Sequence, residues 1–237
     1  MKGRIMELNS YMINGLVEIV LLVIGILIAL QINSWNEGRK EKQLENQLFE
    51  AIINDLDLKR KELVADLNFG MKIVQDSDKI MHTWDNERRI DSTNIKNILE
   101  VIGDDSWFHN INSPAYIGLS NSDLWKLLPV SIINQIDDIY RANLPRIKVL
   151  FQKSGEYATY CKLNFLAPNN LLDLDKSSEE IVELLKGKED DFISYLRLFR
   201  NGVFRLNERF EQSTTSIEKV INNLESYKDT VPEIMYG

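Results

Sequence analysis

Histidine and cysteine are the side chains that most often bind metals or act as bases and nucleophiles in proteins, and this chain has few of them. Its two histidines, His82 and His109, belong to no HExxH motif, and Cys161 is its single cysteine. Because a zinc site needs three or four such ligands, we expect no metal site and no cofactor. The thiol of Cys161 is expected to be packed inside the protein, with a disulfide between two chains as the alternative.

The acidic residues also give little indication of a metal site or a catalytic site. The segment from Asp173 to Ser177 begins like a calcium-binding loop, but Ser178 stands where such a loop needs glycine and Leu184 where it needs the bidentate glutamate. The sequence also has no glycine-rich phosphate-binding loop. Adjacent acids point apart on a helix and are expected to be caps or solvated residues, here Asp104–Asp105, Asp137–Asp138 and Asp190–Asp191. We therefore expect no catalytic residues and predict that this protein is not an enzyme.

Aromatic residues are concentrated in the middle of the sequence, and two interpretations of them stay open. They could form a core beneath short helices, or they could line a ligand pocket. The residues concerned are Trp84, Trp107, Phe108, Tyr116 and Trp125.

Composition limits the class of protein. The chain has 237 residues, of which 44% are hydrophobic, and only 11 are glycine and 5 are proline. Those values are typical of a folded chain built from long helices. The formal net charge of −8 argues against a nucleic-acid partner, because phosphate binding requires a clustered basic surface.

The segment that is expected to anchor the rest of the chain is an apolar run near the N-terminus. Residues 19–30 are all apolar, and residues 15–32 contain only Glu18 and Gln31 as polar interruptions. A helix over residues 13–35 would be about 34 Å long, enough to cross a hydrocarbon core of about 30 Å. No small-residue cleavage site follows the run, and Trp35 lies at interfacial depth. The sequence predicts a tail at 1–11 and an uncleaved transmembrane helix at 12–35, in contact with the lipid bilayer.

One face of this predicted helix carries a possible packing motif. Glu18, Leu22, Gly25 and Ala29 are spaced by four, three and four residues, so they lie on one side of a helix. Gly25 and Ala29 form a small-xxx-small pair that lets two helices approach closely. Glu18 could be functional, or it could reach the headgroup region. This face predicts a homo-oligomer or a membrane-protein partner.

The anchor also resembles a known family. Residues 18–37 (EIVLLVIGILIALQINSWNE) closely resemble the anchor of a Bacteroidota family of single-pass membrane proteins known only as a domain of unknown function. Residues 112–119 (NSPAYIGL), 140–147 (YRANLPRI) and 195–201 (YLRLFRN) resemble later landmarks of that family. The resemblance implies a cytoplasmic N-terminus, an anchor in the inner membrane and a periplasmic domain. Charge alone leaves the orientation open, because the two flanks of the anchor carry three positive charges each.

Residues 36–237 are expected to form an extracytoplasmic helical domain. Residues 36–86 predict a long helix, and an irregular helical insert follows at 87–188. The long helix carries an apolar stripe with a mean spacing near 3.7 residues, interrupted by a basic run at residues 59–61 that is expected to be solvated. The stripe consists of Leu44, Leu48, Ile52, Leu56, Leu63, Leu67, Met71, Val74 and Met81.

The insert contains several helix start and stop signals. Asp91 or Ser92 can cap a short helix, Ser113 can cap another that begins with proline, and Ser177 begins a capping box. Pro145 is expected to kink or interrupt the helix that contains it, because proline removes a backbone hydrogen bond.

Residues 189–228 carry the most regular pattern in the chain. Apolar residues alternate steps of four and three over five heptads, with Ser213 as the one polar exception. We predict that this helix pairs antiparallel with the helix at 36–86, and self-association between chains through the same seam is the alternative. The seam consists of Phe192, Leu196, Phe199, Val203, Leu206, Phe210, Ile217, Val220 and Leu224.

The expected fold class is all-α, with an N-terminal transmembrane helix that continues into a long helix, a long C-terminal helix paired with it, and short helices between them. The expected function is that of a membrane-anchored, non-enzymatic interaction or scaffold protein. The alternative is an extracytoplasmic ligand sensor that acts through a membrane partner, with a pocket near Trp107, Tyr116 and Trp125.

Overall fold

The computed structural model describes residues 2–104, 107, 113–122, 125, 128–173 and 175–230, with side chains from residue 21 onward except those of residues 41, 45, 229 and 230. The chain is 87% helical, and the described residues include no strand. The predicted all-α class is therefore confirmed. A long N-terminal helix and a long C-terminal helix pack together, and short helices lie between them.

The described ranges contain seven α-helices and two π-helical turns. The first helix begins at Lys2, inside the segment predicted to be a tail, and the last ends at Thr230. The helices are α1 (Lys2–Glu87), α2 (Ser92–Gly103), α3 (Pro114–Ser120), α4 (Val130–Asp137), α5 (Leu144–Cys161), α6 (Ser178–Leu184) and α7 (Glu189–Thr230), and the π turns span Asp138–Asn143 and Lys162–Leu166.

The chain divides into two units. The first consists of Met1–Glu50 with Tyr227–Gly237, and the second of Ala51–Ser226. In the first unit, the rings of Phe49 and Tyr227 lie 5.8 Å apart between centroids, and the Lys228 ammonium lies 2.8 Å from the Glu50 carboxylate. These contacts join the two long helices within that unit.

In the second unit, α1 and α7 run antiparallel. One terminal nitrogen of Arg197 donates to both carboxylate oxygens of Asp85, at 2.7 and 2.8 Å. Arg200 uses two nitrogens, and each donates a hydrogen bond of 2.9 Å to one oxygen of Asp78. Residue numbers increase along α7 while the numbers of their partner residues on α1 decrease. The predicted antiparallel pairing of the long helices is confirmed.

The buried face of α1 differs from the predicted stripe. In that stripe Leu44 is 51% exposed and Met71 is 45% exposed, so the predicted stripe is wrong at these two positions. Lys59, expected to be solvated, is only 3% exposed and donates a hydrogen bond of 2.9 Å to Glu62. The buried positions of α1 in this unit follow alternating steps of four and three, with one double step of seven and an extra buried residue, Asp76, beside Ser77. The alternating positions are Ile52, Leu56, Lys59, Leu63, Gly70, Ile73, Ser77 and Ile80.

A third helical line, formed by α4, α5 and the π turns, packs along α7 in the opposite direction. The Asn223 amide donates a hydrogen bond of 2.6 Å to Gln135 at one end. At the other end the Cys161 thiol lies 3.4 Å from the carbonyl oxygen of Tyr195. The second unit is therefore a bundle of three helical lines, and α2 and α6 close one end of it around the apolar cluster that contains Phe165.

Pro145 does not break its helix. The π turn Asp138–Asn143 precedes it, and the Leu144 N–H donates a hydrogen bond to the carbonyl oxygen of Ile139, five residues earlier. The wider turn absorbs the proline, which has no N–H to donate, and the helix continues into α5. This turn is the form that the predicted interruption of the α-helix takes.

The predicted caps form. The Asp91 carboxylate accepts a hydrogen bond of 3.0 Å from the Thr93 N–H, which holds the pKa of Asp91 below its usual value. Ser113 caps α3 through the N–H of Tyr116, and Ser177 forms the predicted capping box with Glu180 at the start of α6. Each cap supplies an acceptor to N–H groups that the helix leaves unpaired.

Candidate functional site

The predicted membrane-helix face lies on α1. Leu22 is 63% exposed and a side chain at Gly25 would meet open space within this chain, so neither residue is covered by the chain itself. Ala29 is also exposed, and the side chain of Glu18 lies outside the described residues. One helix, near the N-terminus, is long and apolar enough to cross a membrane.

The predicted seam of α7 lies inside the chain. None of its nine apolar residues is more than 3% exposed, and Ser213 is equally buried at 3%. Packing within one chain therefore occupies this seam, which leaves no exposed seam for self-association. Three further positions on α7, Ile193, Gly202 and Asn207, are also buried.

Gly70 of α1 lies against the side chain of Asn207 of α7. A Cβ built on Gly70 would lie 2.0 Å from the Asn207 Oδ1 atom, so only glycine fits there without a shift. Asn207 is 8% exposed, and its Oδ1 has no hydrogen-bond partner. A buried amide oxygen without a donor costs stability.

The residues first considered for chemistry have structural roles or stay outside the described residues. His82 lies on the exposed side of α1, and His109 lies outside the described residues. Asp173 accepts hydrogen bonds from Lys176 and from the N–H of Asp175, and these bonds lower its pKa. The described residues contain no group of three or more metal-ligating side chains.

The thiol of Cys161 is buried, with 1% exposure, between α5 and α7. Burial raises its pKa to about 11, so the thiol stays protonated near neutral pH. A protonated, covered thiol is a poor nucleophile. The expectation of a packed thiol agrees with this burial.

A buried polar network joins α1 to the middle of the chain, and sequence reasoning missed it. The Asp55 carboxylate accepts a hydrogen bond of 2.7 Å from the Ser113 hydroxyl and a second hydrogen bond from the Tyr140 hydroxyl. Burial and the adjacent Asp55 raise the pKa of Tyr140 far above its ordinary value. Tyr140 therefore acts as a fixed donor and not as a base.

A second layer lies against this network. Tyr116 stacks on Tyr140 with ring centroids 4.4 Å apart, and its hydroxyl donates to Asp137 at 2.7 Å. The Arg141 Nε donates a hydrogen bond of 2.6 Å to the same hydroxyl. Residues 113–119 and 140–147, quoted above for their resemblance, meet here. Their distance in sequence from Asp55 hid the network. The ring of Trp125 packs edge-on against Tyr116, with 6.1 Å between the ring centroids.

A separate cleft of about 940 Å³ opens beside α1 and α2. The Trp107 indole N–H donates a hydrogen bond of 3.0 Å to Asp66, and its ring packs edge-on against Phe69 at 5.0 Å. The cleft combines apolar walls with acidic groups and one lysine, a mixture found in small-molecule sites. Trp107 lines it, whereas Tyr116 and Trp125 do not. The lining residues are Ala65, Asp66, Phe69, Leu99, Glu100, Val101, Gly103, Asp104, Trp107, Lys162 and Leu172.

Comparison with known proteins adds no relative. No family model, curated protein or solved structure matches this chain.

Proposed function

We propose that this protein is a membrane-anchored, non-enzymatic interaction or scaffold protein, assembled with a second copy or with another membrane protein. The observation that carries this proposal is the uncovered apolar stretch of α1. Its large side chains between residues 21 and 32 are 45% to 63% exposed. Exposed apolar surface of that extent is unfavourable in water. A lipid bilayer and a partner helix are the surroundings that would bury it.

The placement of the domain in the periplasm, with the anchor in the inner membrane, is part of the proposal. It rests on the resemblance of residues 18–37 to a Bacteroidota family of single-pass membrane proteins. Single cysteines at positions 2 and 230 of a Cys161→Ala variant test it in intact cells. Labelling by a membrane-impermeant maleimide at position 230 alone is expected, and labelling at position 2 alone would reverse the orientation.

The scaffold proposal is tested on the full chain in mild detergent. Gly25→Leu and Ala29→Leu add bulk to the proposed packing face, whereas Val23→Leu adds bulk on another side of the helix. We expect an oligomer, or a co-purifying membrane protein, that both face variants weaken and the control does not. Light scattering that shows the same monomer for all four proteins, without a co-purifying partner, would contradict the proposal.

The cleft beside Trp107 favours a second candidate, an extracytoplasmic ligand sensor that acts through a membrane partner. Phe69 lines the cleft and is 42% exposed, and Phe204 is equally exposed at 42% but lies elsewhere. A small molecule from a metabolite panel should raise the melting temperature of the wild type and of Phe204→Ala, but not of Phe69→Ala. A panel that shifts none of them, or all of them equally, speaks against a sensor.

A further inference from the structure

Three arginines line one groove between α5 and α7. Arg141 and Arg146 lie on the α5 side, and Arg209 lies on α7. The groove has a volume of about 470 Å³, and its other lining residues carry no charge. The chain as a whole has 36 acidic and 28 basic residues. Three arginines on one groove, with no acid among the lining residues, are unexpected in such a chain.

Each guanidinium keeps hydrogen-bond donors unused. Arg141 is held along its Nε edge by Tyr116 at 2.6 Å and by Asp137 at 3.3 Å, and no residue bonds its terminal nitrogens within the described part of the chain. Arg209 uses one nitrogen on Gln212 at 2.8 Å. Arg146 is exposed and makes no hydrogen bond or ion pair with a described residue.

The remainder of the groove is apolar. Val149 is 53% exposed, and Ala142, Pro145 and Leu150 lie beside it. The groove therefore offers donors for an anionic group and an apolar surface for a short hydrocarbon attached to it. The π turn that carries Arg141 lies at its rim, and such turns are common at binding sites.

We propose that this groove binds an organic phosphate, with Arg141, Arg146 and Arg209 around the phosphate and the Val149 surface under its apolar part. Arginine suits this role because its planar fork donates two parallel hydrogen bonds to one oxyanion. Arg141 is the best positioned of the three arginines, because Tyr116 and Asp137 hold the Nε edge of its guanidinium group. The inference does not depend on the proposed scaffold function.

The test uses the full chain in uncharged detergent and butyl phosphate as the probe, measured by calorimetry. We expect Arg146→Gln and Arg209→Gln each to weaken binding about tenfold, the loss of one charge-assisted pair. Arg205→Gln, an exposed arginine one turn away on α7 and outside the groove, should bind as the wild type does. Equal affinity in all four proteins, or heat absent with the wild type, would overturn the proposal.

Two further probes test the class of ligand. Inorganic phosphate should bind more weakly than butyl phosphate, because it leaves the Val149 surface uncovered, and butyrate should also bind more weakly because it carries less charge. A soluble short-chain phosphatidic acid that binds with higher affinity than butyl phosphate would identify the source as a lipid headgroup, and an affinity no higher would identify it as a soluble phosphate. Tighter binding of butyrate than of butyl phosphate would contradict the phosphate assignment. Affinity for butyl phosphate that does not fall with added salt would contradict the role of the arginines.

Discussion

The buried faces of α1 and α7 share a spacing and differ in composition. On α7, nine apolar side chains follow the heptad positions and are at most 3% exposed. On α1, the face of the same period includes Lys59, Gly70 and Ser77, all buried. Small and polar residues therefore make up a larger share of the buried face on α1 than on α7, although α1 also buries Ile52, Leu56, Leu63, Ile73 and Ile80.

The largest expected effect tests whether the buried face of α7 is the main source of the protein's stability. Phe210 is fully buried, and Phe210→Ala should lower the free energy of unfolding by about 3 to 5 kcal/mol through lost burial and a cavity. Phe204→Ala, at a side chain 42% exposed, should cost about 1 kcal/mol or less. Urea unfolding of the full chain in mild detergent, followed by circular dichroism, measures both. Similar losses for the two variants would mean that the face of α7 is not the main source of stability.

A smaller effect tests whether α1 sets the approach of the helices. Gly70→Ala should destabilise by about 1 to 3 kcal/mol, because the new Cβ meets the buried side-chain amide of Asn207, which has to move. Gly155→Ala in α5 is the control, since a Cβ there meets nothing within 4 Å. It should stabilise by about 0.5 to 1 kcal/mol through helix propensity. Thermal unfolding compares the two.

A double variant separates the contact from general damage to α1. Asn207→Ala removes both the clash and the unpaired amide oxygen, so Gly70→Ala should cost much less in that background. A coupling energy above about 1 kcal/mol is expected for residues in direct contact. Additive effects would show that the two residues act independently.

The smallest effect concerns the buried cation of α1. Lys59→Met should leave stability within about 1 kcal/mol of the wild type or raise it, because an apolar side chain avoids the desolvation of a charge. Glu62→Gln, which takes away the carboxylate 2.9 Å from the Lys59 ammonium, should cost about 1 kcal/mol. Lys61→Met, at an exposed lysine in the same turn, is the matched control. A large loss for Lys59→Met alone would assign that lysine a stabilising role.

The same contrast explains what could be predicted from sequence. The heptads of α7 and the caps at Asp91, Ser113 and Ser177 were predictable, because each is a local pattern with a direct physical cause. The face of α1 was not, since a search for apolar periodicity passes over Gly70 and Ser77 and selects Met71 instead. Only the close approach of a second helix makes a glycine or a serine the right residue at a buried position.

The candidate sites were predicted least well. Arg141 and Arg209 lie far apart in the sequence, and nothing local indicates that they share a groove. The hydrogen bonds from Ser113 and Tyr140 to Asp55 likewise depend on how three helical lines align. The middle aromatic residues were recognised as a group, but Trp107 lines the cleft, Tyr116 and Trp125 lie in the stack, and Trp84 donates a hydrogen bond to Asp190. Phe108 lies outside the described residues.

The contact between Gly70 and Asn207 has a consequence for how the chain finds one alignment. Two helices with uniform heptad seams can slide by one repeat, about 10.5 Å, and still bury apolar side chains. Such a slide would place Asn207 against Leu63 or Ser77, which have side chains where Gly70 has none. The side chains of Leu63 and Ser77 disfavour both displaced alignments, so Gly70 favours the alignment that the structure shows.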